Sequence, residues 1–290
     1  MLVTNRPFRE RDLRLRGLKF RICEWGPEDG PIVLILHGWL DQGAAWNRVA
    51  CRLASNGMRV IAPDQRGHGC TDHTPQSTSY HFAEYLADLD SIYEWIAEPV
   101  SILVGHSMGG TVASLYAGLR SKLVERLVLV EGVGPPSEST GMAVDRLQTW
   151  LDHQNQVWTS PRMENVEAAA KRLCRFNPAL PFDEACMLAE RSTMEEHGAR
   201  VWRWDPRHRS RSAIAYDVAR HRECMSRIEA NVWFVQGDKS WYLGIPDLEE
   251  RLASIPRLRQ IQLSGGHALH IDSPVELADV LLGVSAQSSL

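Results

Sequence analysis

The sequence predicts an α/β fold in which helices cover both faces of a mostly parallel sheet. Two apolar runs, at residues 31–36 and 101–104, have the continuous hydrophobicity of strands buried on both faces. Strand and helix patterns alternate around them, as a parallel sheet requires because crossover helices join its strands. One long stretch, 137–227, interrupts this alternation with helix patterns and no strand. We therefore predict one α/β domain that carries a helical insertion.

The elements before the insertion follow one another closely. They are a strand at 31–36, a helix at 44–56, a short strand at 59–62, a helix at 80–97, a strand at 101–104, a helix at 108–119 and a strand at 126–130. The sequence Gly-Val-Gly-Pro-Pro at 132–136 then ends this run, because glycine and proline interrupt regular structure. We place the first boundary of the insertion there.

Sheet patterns return after the insertion, with strands at 231–236 and 258–263. A last helix begins near Pro274, with Ser273 at the position typical of an N-cap. The predicted organisation is a first part of the core at 1–136, a helical cap at 137–227 and a second part of the core at 228–290.

The composition of the chain argues against some classes of function. The chain has 290 residues, 44% of them hydrophobic, and a formal net charge of −4, which does not favour nucleic-acid binding. The first residues are too charged for a signal peptide, and no apolar stretch approaches the ~20 residues of a membrane span. Six cysteines without CxxC spacing indicate reduced thiols. We expect a soluble, cytoplasmic protein.

The motif Gly-His-Ser-Met-Gly at 105–109 matches G-x-S-x-G, in which small residues allow a tight strand-to-helix turn that exposes the serine. Because it follows a predicted strand and opens a predicted helix, we interpret Ser107 as a nucleophile. The helix N-terminus directs backbone N–H groups at a developing oxyanion. We assign these donors to Met108 and to Trp39, which lies in the loop after the first buried strand. His37, in the same loop, is interpreted as structural.

A histidine lies on a loop at the other end of the chain. Ser-Gly-Gly-His at 264–267 follows the last strand, at the sheet edge where ligands usually bind, and we predict that His267 is the general base. His270 competes for this role, although a structural position under the last helix is expected for it. A zinc site at His267 and His270 has no further ligand at metal spacing, so we predict no metal.

These motifs, in this order, resemble the α/β-hydrolase superfamily along essentially the whole chain. Four segments resemble its serine hydrolase-like branch: Leu-His-Gly-Trp-Leu-Asp at 36–41, the serine motif, Arg-Trp-Asp-Pro-Arg at 203–207 and Gly-His-Ala-Leu-His at 266–270. The resemblance implies an eight-stranded core, a helical cap over the active site and no cofactor. The loop at 64–69 is similar to a family loop that shapes the pocket wall, and we expect this loop to have a structural role.

Two carboxylates compete to orient His267. Asp238 follows the strand at 231–236, the usual location in the resembling family, but the family spacing places the acid at position 240, which is Ser240 here. Glu131 follows the strand at 126–130, next to the strand of the nucleophile, and some relatives supply their acid from that position. A buried carboxylate there would pair with an imidazolium on His267. We choose Glu131 and keep Asp238 as the alternative.

The resulting function prediction is hydrolysis of a carboxylic ester through an acyl-enzyme on Ser107. Hydrolysis of a thioester or of a carbon–carbon bond by the same residues is the alternative within enzymes. A binding protein that has lost catalysis is the alternative from another class. Four tryptophans of the insertion either line an acyl pocket or form the core of the cap: Trp150, Trp158, Trp202 and Trp204. The arginine-rich segment 200–211 either contacts an acidic substrate or pairs with Asp205.

Overall fold

The computed structural model describes residues 8–154 and 156–287. Within this part of the chain the strands are β1 (Arg9–Leu15), β2 (Leu18–Trp25), β3 (Ile32–Leu36), β4 (Arg59–Pro63), β5 (Val100–His106), β6 (Arg126–Val130), β7 (Thr193–Glu196), β8 (Ala199–Trp202), β9 (Asn231–Gly237) and β10 (Leu258–Leu263). The α-helices are α1 (Asn47–Ser55), α2 (Phe82–Ile96), α3 (Met108–Leu119), α4 (Thr140–His153), α5 (Val166–Phe176), α6 (Phe182–Ser192), α7 (Val218–Ser226), α8 (Leu248–Leu252), α9 (Leu269–Asp272) and α10 (Pro274–Ala286).

Eight strands form the main sheet, in the order β1-β2-β4-β3-β5-β6-β9-β10. From β4 to β10 neighbouring strands run parallel, whereas β1 and β2 add an antiparallel edge. This confirms the predicted α/β-hydrolase fold with a mostly parallel eight-stranded sheet. The residues themselves had not indicated β1 and β2, which are joined by a tight turn with positive φ at Arg16 and Gly17.

Alternate residues of the central strands supply two separate cores. On one face, Val33 and Ile35 of β3 pack with α1 and α10. On the other face, Leu34 and Leu36 pack with α2 and α3. Because a strand directs successive side chains to opposite faces, a strand buried on both faces must be apolar at every position. The continuous hydrophobicity of β3 is therefore explained.

The insertion contains α4 to α7, but the prediction that it holds no strand was wrong. β7 and β8 form a separate antiparallel hairpin whose turn residues, His197 and Gly198, both have positive φ. This is the backbone geometry of a two-residue hairpin turn. Met, Glu and Ala are common in helices, so the segment resembled a continuation of α6, and the buried Thr193 and Val201 were too few to indicate a strand pattern. Neither strand pairs with the main sheet.

Smaller differences concern helix ends. The helix predicted at 44–56 begins as a 3₁₀ turn at Gly43–Trp46 before α1. Ser273 occupies the N-cap position of α10, but its hydroxyl donates to the carbonyl of Ser264 instead of capping the helix. No helix in the described ranges is both long and apolar enough to cross a membrane.

An ion pair joins the insertion to the core. Arg191 at the end of α6 lies 3.0 Å from the carboxylate of Asp64, which has no exposed side-chain surface. Asp64 also accepts hydrogen bonds from the backbone N–H groups of Gly43 and Cys70. The loop at 64–69 therefore has the structural contacts expected of it, and the pair fixes α6 above the first strands.

We expect Arg191→Met to lower the free energy of unfolding by about 3–5 kcal/mol, because the buried Asp64 carboxylate would lose its cationic partner. The matched control is Arg222→Met, which removes an exposed pair with Glu250 and should cost at most about 1 kcal/mol. Urea denaturation followed by circular dichroism measures both. Equal losses in the two variants would contradict this account.

Candidate active site

Ser107 lies at a sharp turn between β5 and α3, with φ 50° and ψ −111°. Such values are rare for a residue with a side chain, and they persist where surrounding contacts enforce them. Flanking glycines make the turn possible: a Cβ on Gly105 would lie 2.4 Å from the carbonyl oxygen of Gly109, and one on Gly109 would lie 2.2 Å from that of Leu36. The serine is thereby held out at the end of the sheet.

His267 lies on the loop between β10 and α9, facing the serine. Its Nε2 is 2.9 Å from Ser107 Oγ. Its Nδ1 is 3.1 Å from Oε2 of Glu131. The three side chains therefore form one hydrogen-bonded line, contributed by three strand ends at the same edge of the sheet.

Glu131 directly follows β6 and is fully buried, with φ 56°. Oε1 accepts a hydrogen bond of 2.6 Å from the backbone N–H of Gly237, and Oε2 accepts one from the hydroxyl of Ser240. A buried carboxylate needs such donors because it has lost its water. These contacts fix the orientation in which the carboxylate meets His267.

Asp238, the alternative acid, is exposed and accepts a hydrogen bond of 2.8 Å from the N–H of Gly265. It therefore fixes the start of the loop that carries His267. Sequence reasoning missed the part played by Ser240. It stands at the position where the family spacing expects an acid, and its hydroxyl instead binds the carboxylate of Glu131.

The two residues expected to supply oxyanion donors lie on either side of the serine. Met108 is the first residue of α3, and Trp39 follows Gly38, where a Cβ would approach that of Ser107 to 3.4 Å. Trp39, Ser107 and Met108 all line one cavity. His37 is fully buried: its Nδ1 contacts the carbonyl of Gly38 and its Nε2 accepts from the N–H of Gln65. These contacts agree with a structural role in shaping the loop.

Two cavities meet near the serine. The larger has a volume of about 930 Å³, is lined by Ser107, and is closed by segments of α2, α4 and α7. The second, about 570 Å³, is lined by His267 and by α5 and α6. Trp39 is 53% exposed and contributes to the walls of both. The site can therefore hold groups on two sides of the serine.

The tryptophans and arginines of the insertion are divided between these walls and other contacts. Trp202 and Trp204 line the second cavity, as one interpretation expected, whereas Trp158 packs edge-on against His153. In the arginine-rich segment, Arg207 pairs with Asp205 at 2.6 Å.

Aromatic residues after β9 surround His267, and the sequence reasoning did not identify them. The ring of Trp241 lies 4.8 Å from the imidazole and that of Tyr242 lies 5.9 Å from it. The Tyr242 hydroxyl donates to the carbonyl of Gly134 and accepts from the N–H of Val133. Their position directly after a strand at the functional edge of the sheet was the available signal.

A second Ser–His pair lies in the same region. Ser114 Oγ is 2.8 Å from Nε2 of His221, and Nδ1 of His221 contacts the hydroxyl of Tyr216 at 2.5 Å. Burial, with the charge of Arg251, lowers the pKa of His221 to about 3. Both ring nitrogens are thus engaged by hydroxyl groups, and Ser114 is fully buried in α3. This arrangement connects α7 to α3 and does not expose a nucleophile.

Three further side chains, Asp41, His106 and His270, lie beside His267. Each offers a ligand atom, and these atoms lie within 4.8 Å of one another. Burial, followed by the neighbouring His270 and His267, holds the pKa of His106 well below its ordinary value. Spacing along the chain predicted no metal site. Asp41 lies in the loop after β3, His106 ends β5 and His270 lies in α9, so spacing along the chain could not reveal that they meet.

A mostly parallel sheet that presents a serine at a strand-to-helix turn defines the class of α/β hydrolases. Residues 32–280 match the family model described as Alpha/beta hydrolase family. The chain belongs to this family, as its motifs predicted.

Several known proteins are similar to this chain over most of its length. A serine hydrolase-like protein of Danio rerio is 30% identical over 268 residues, which are 89% of this chain and 82% of the relative. A bifunctional esterase/perhydrolase of Acinetobacter calcoaceticus is 30% identical over 226 residues, 77% of this chain and 79% of the relative. The solved thioesterase domain from the curacin biosynthetic pathway has a TM-score of 0.90 and 35% identity, over 96% of this chain and all of that domain. The predicted likeness to serine hydrolase-like proteins is confirmed.

The turn at Ser107 yields a stability prediction. We expect Gly109→Ala to lower the free energy of unfolding by about 3 kcal/mol, because the added methyl group overlaps the Leu36 carbonyl. Gly283→Ala is the matched control: it lies in α10 with open space around its Cβ, and should raise stability by about 0.5–1 kcal/mol. Urea denaturation of both variants tests this. A Gly109→Ala protein as stable as the parent would contradict the steric explanation.

Proposed function

We propose that this protein hydrolyses carboxylic esters through an acyl-enzyme on Ser107. The observation that supports the proposal is the unbroken line of hydrogen bonds from Ser107 Oγ through His267 to Glu131. Nucleophile, base and orienting acid must lie in this relation for a serine hydroxyl to be activated. The α/β-hydrolase family and its esterase relative agree with this chemistry.

The first half of the reaction transfers the acyl group. Ser107 Oγ attacks the ester carbonyl while His267 Nε2 takes the hydroxyl proton, and the tetrahedral oxyanion receives hydrogen bonds from the N–H groups of Trp39 and Met108. His267 then gives its proton to the alkoxy oxygen as the carbon–oxygen bond breaks. The alcohol leaves, and the acyl group remains on the serine.

The second half repeats these steps with water. His267 removes a proton from water, whose oxygen attacks the acyl carbon, and the proton then returns to Ser107 Oγ as the carboxylic acid leaves. Each half passes through an imidazolium. Glu131, buried and fixed by Gly237 and Ser240, stabilises this cation and keeps Nδ1 as the donor.

The residues that line the larger cavity indicate the class of substrate. The larger cavity is lined mainly by apolar side chains, among them Phe82, Leu86 and Leu115, with arginines such as Arg146 and Arg220 also contributing. We propose that residues 137–227 act as the cap that covers Ser107, and that the substrate is a small molecule with an apolar acyl group.

A thioester is the second candidate substrate. The thioesterase domain is 35% identical across nearly the whole chain, and the same serine, histidine and acid would cleave a thioester by the same steps. One substrate panel includes both esters and thioesters, and the ratio of their kcat/KM values decides between the two classes.

We predict that Ser107→Ala abolishes hydrolysis and labelling by a fluorophosphonate probe, because the nucleophile is removed. The assay uses p-nitrophenyl esters of graded chain length together with acyl-CoA thioesters. Ser114→Ala is the matched control, since Ser114 also contacts a histidine, and it should keep both activity and labelling. A parent protein that neither reacts with the probe nor cleaves any member of the panel would instead support a binding protein without catalysis.

We further predict that Glu131→Gln lowers kcat by roughly 10³-fold or more, because an amide cannot stabilise the His267 imidazolium or fix its tautomer. Asp238→Asn should lower kcat only slightly, since the Asp238 carboxylate binds the N–H of Gly265. Steady-state kinetics on one ester measure both variants, with circular dichroism to check folding. The reverse ranking would assign the role of the acid to Asp238.

A further inference from the structure

Unpaired buried polar atoms are concentrated beside the proposed active site. Oδ2 of Asp41, Nδ1 of His106 and both ring nitrogens of His270 are buried without a hydrogen-bond partner in the described structure. Buried polar groups are normally paired, and Asp41 Oδ2 and His270 Nε2 lie 3.3 Å apart as an ion pair, so the Nδ1 atoms of His106 and His270 are the ones that require an explanation. We call these three residues the Asp–His–His cluster. Because its atoms lie within 4.8 Å of one another, a single bound species can satisfy several of them.

The hydrogen bonds of His106 fix its chemistry. Its Nε2 lies 2.8 Å from the backbone carbonyl oxygen of His267, which can only accept, so Nε2 carries the proton. The lone pair is then on Nδ1. A histidine that donates one ring N–H to a carbonyl and presents the other nitrogen unprotonated is oriented as metal-binding histidines are.

His270 and Asp41 supply the other donors. Nε2 of His270 forms an ion pair with Oδ2 of Asp41 at 3.3 Å, which already holds these two donors close together. The imidazole stacks on Trp46 at 4.7 Å with an interplanar angle of 8°, which fixes its plane. The second cavity borders all three cluster residues and gives access to them.

We propose that the Asp–His–His cluster binds one divalent transition-metal ion of the Zn²⁺ class. Two imidazoles and one carboxylate suit zinc, whereas Mg²⁺ and Ca²⁺ prefer oxygen ligands alone. Ligand atoms around a tetrahedral zinc with bonds of about 2.0–2.1 Å are roughly 3.4 Å apart, and the cluster atoms, all within 4.8 Å of one another, come close to that spacing. Water from the second cavity completes the coordination.

The bound ion inhibits hydrolysis. His106 is bonded to the backbone of His267, and the two rings are 5.0 Å apart. Movement of His106 toward a bound ion therefore shifts the loop that carries His267 and breaks its alignment with Ser107 and Glu131. Inhibition rests on the proposed function, whereas metal binding does not.

Zinc binding is tested by calorimetric titration of the full chain with ZnCl₂, and by the visible spectrum after addition of Co²⁺. We expect one ion per chain, and a loss of affinity of at least about tenfold in both Asp41→Asn and His270→Asn, since even the partners of metal ligands contribute that much. His197→Asn is the control, because this exposed histidine lies on the β7–β8 turn and should leave affinity unchanged. Circular dichroism checks folding. If His270→Asn does not fold, the nearly isosteric Asp41→Asn decides.

His267→Ala separates the two histidine sites. We expect this variant to retain zinc. The proposal is overturned if His267→Ala loses zinc binding while Asp41→Asn and His270→Asn keep it. It is also overturned if the parent protein binds no stoichiometric ion. In ester hydrolysis, zinc should inhibit the parent and have at least about tenfold less effect on Asp41→Asn, each relative to its own metal-free rate. Zinc binding without any esterase activity would contradict the proposed function and leave the metal site intact.

Discussion

The buried carboxylate of Glu131 is the interaction on which the arrangement at the sheet edge depends. It joins the ends of three strands, because it follows β6, accepts from the N–H of Gly237 at the end of β9, and contacts His267 beyond β10. An ionised group without these donors would be strongly destabilising in this position. Its contacts therefore determine both where the β10 loop lies and which nitrogen of the imidazole faces the serine.

The same carboxylate explains why the partner of His267 was difficult to assign from the sequence. Strand ends could be located, because buried strands are apolar and stop at glycine or at a charged residue. Glu131 and Asp238 both satisfy that rule, and the choice between them depends on the direction of a side chain. That direction is determined by the positive φ at Glu131 and by the hydroxyl of Ser240, neither of which has a sequence pattern.

In the fold, too, hydrophobic periodicity predicted some elements and missed others. The central strands and their crossover helices were predicted within a few residues, since burial on two faces leaves a continuous apolar run. The β1–β2 and β7–β8 hairpins were missed because charged residues interrupt the apolar signal: β1 and β7 are largely exposed, and the more buried β2 and β8 still contain lysine or arginine. The Asp–His–His cluster was also hidden, because Asp41, His106 and His270 belong to a loop, a strand end and a helix that meet only in the folded chain.

The two cavities beside Ser107 are built from different parts of the insertion. Side chains from α4 and α7 close the larger cavity, whereas α5 and α6 close the second, and Trp39 of the core stands between them. Substitutions in one pair of helices can therefore reshape one cavity while the other is conserved. Such independence lets the two cavities change in shape separately among descendants of one ancestral protein, with the sheet and the serine turn unchanged.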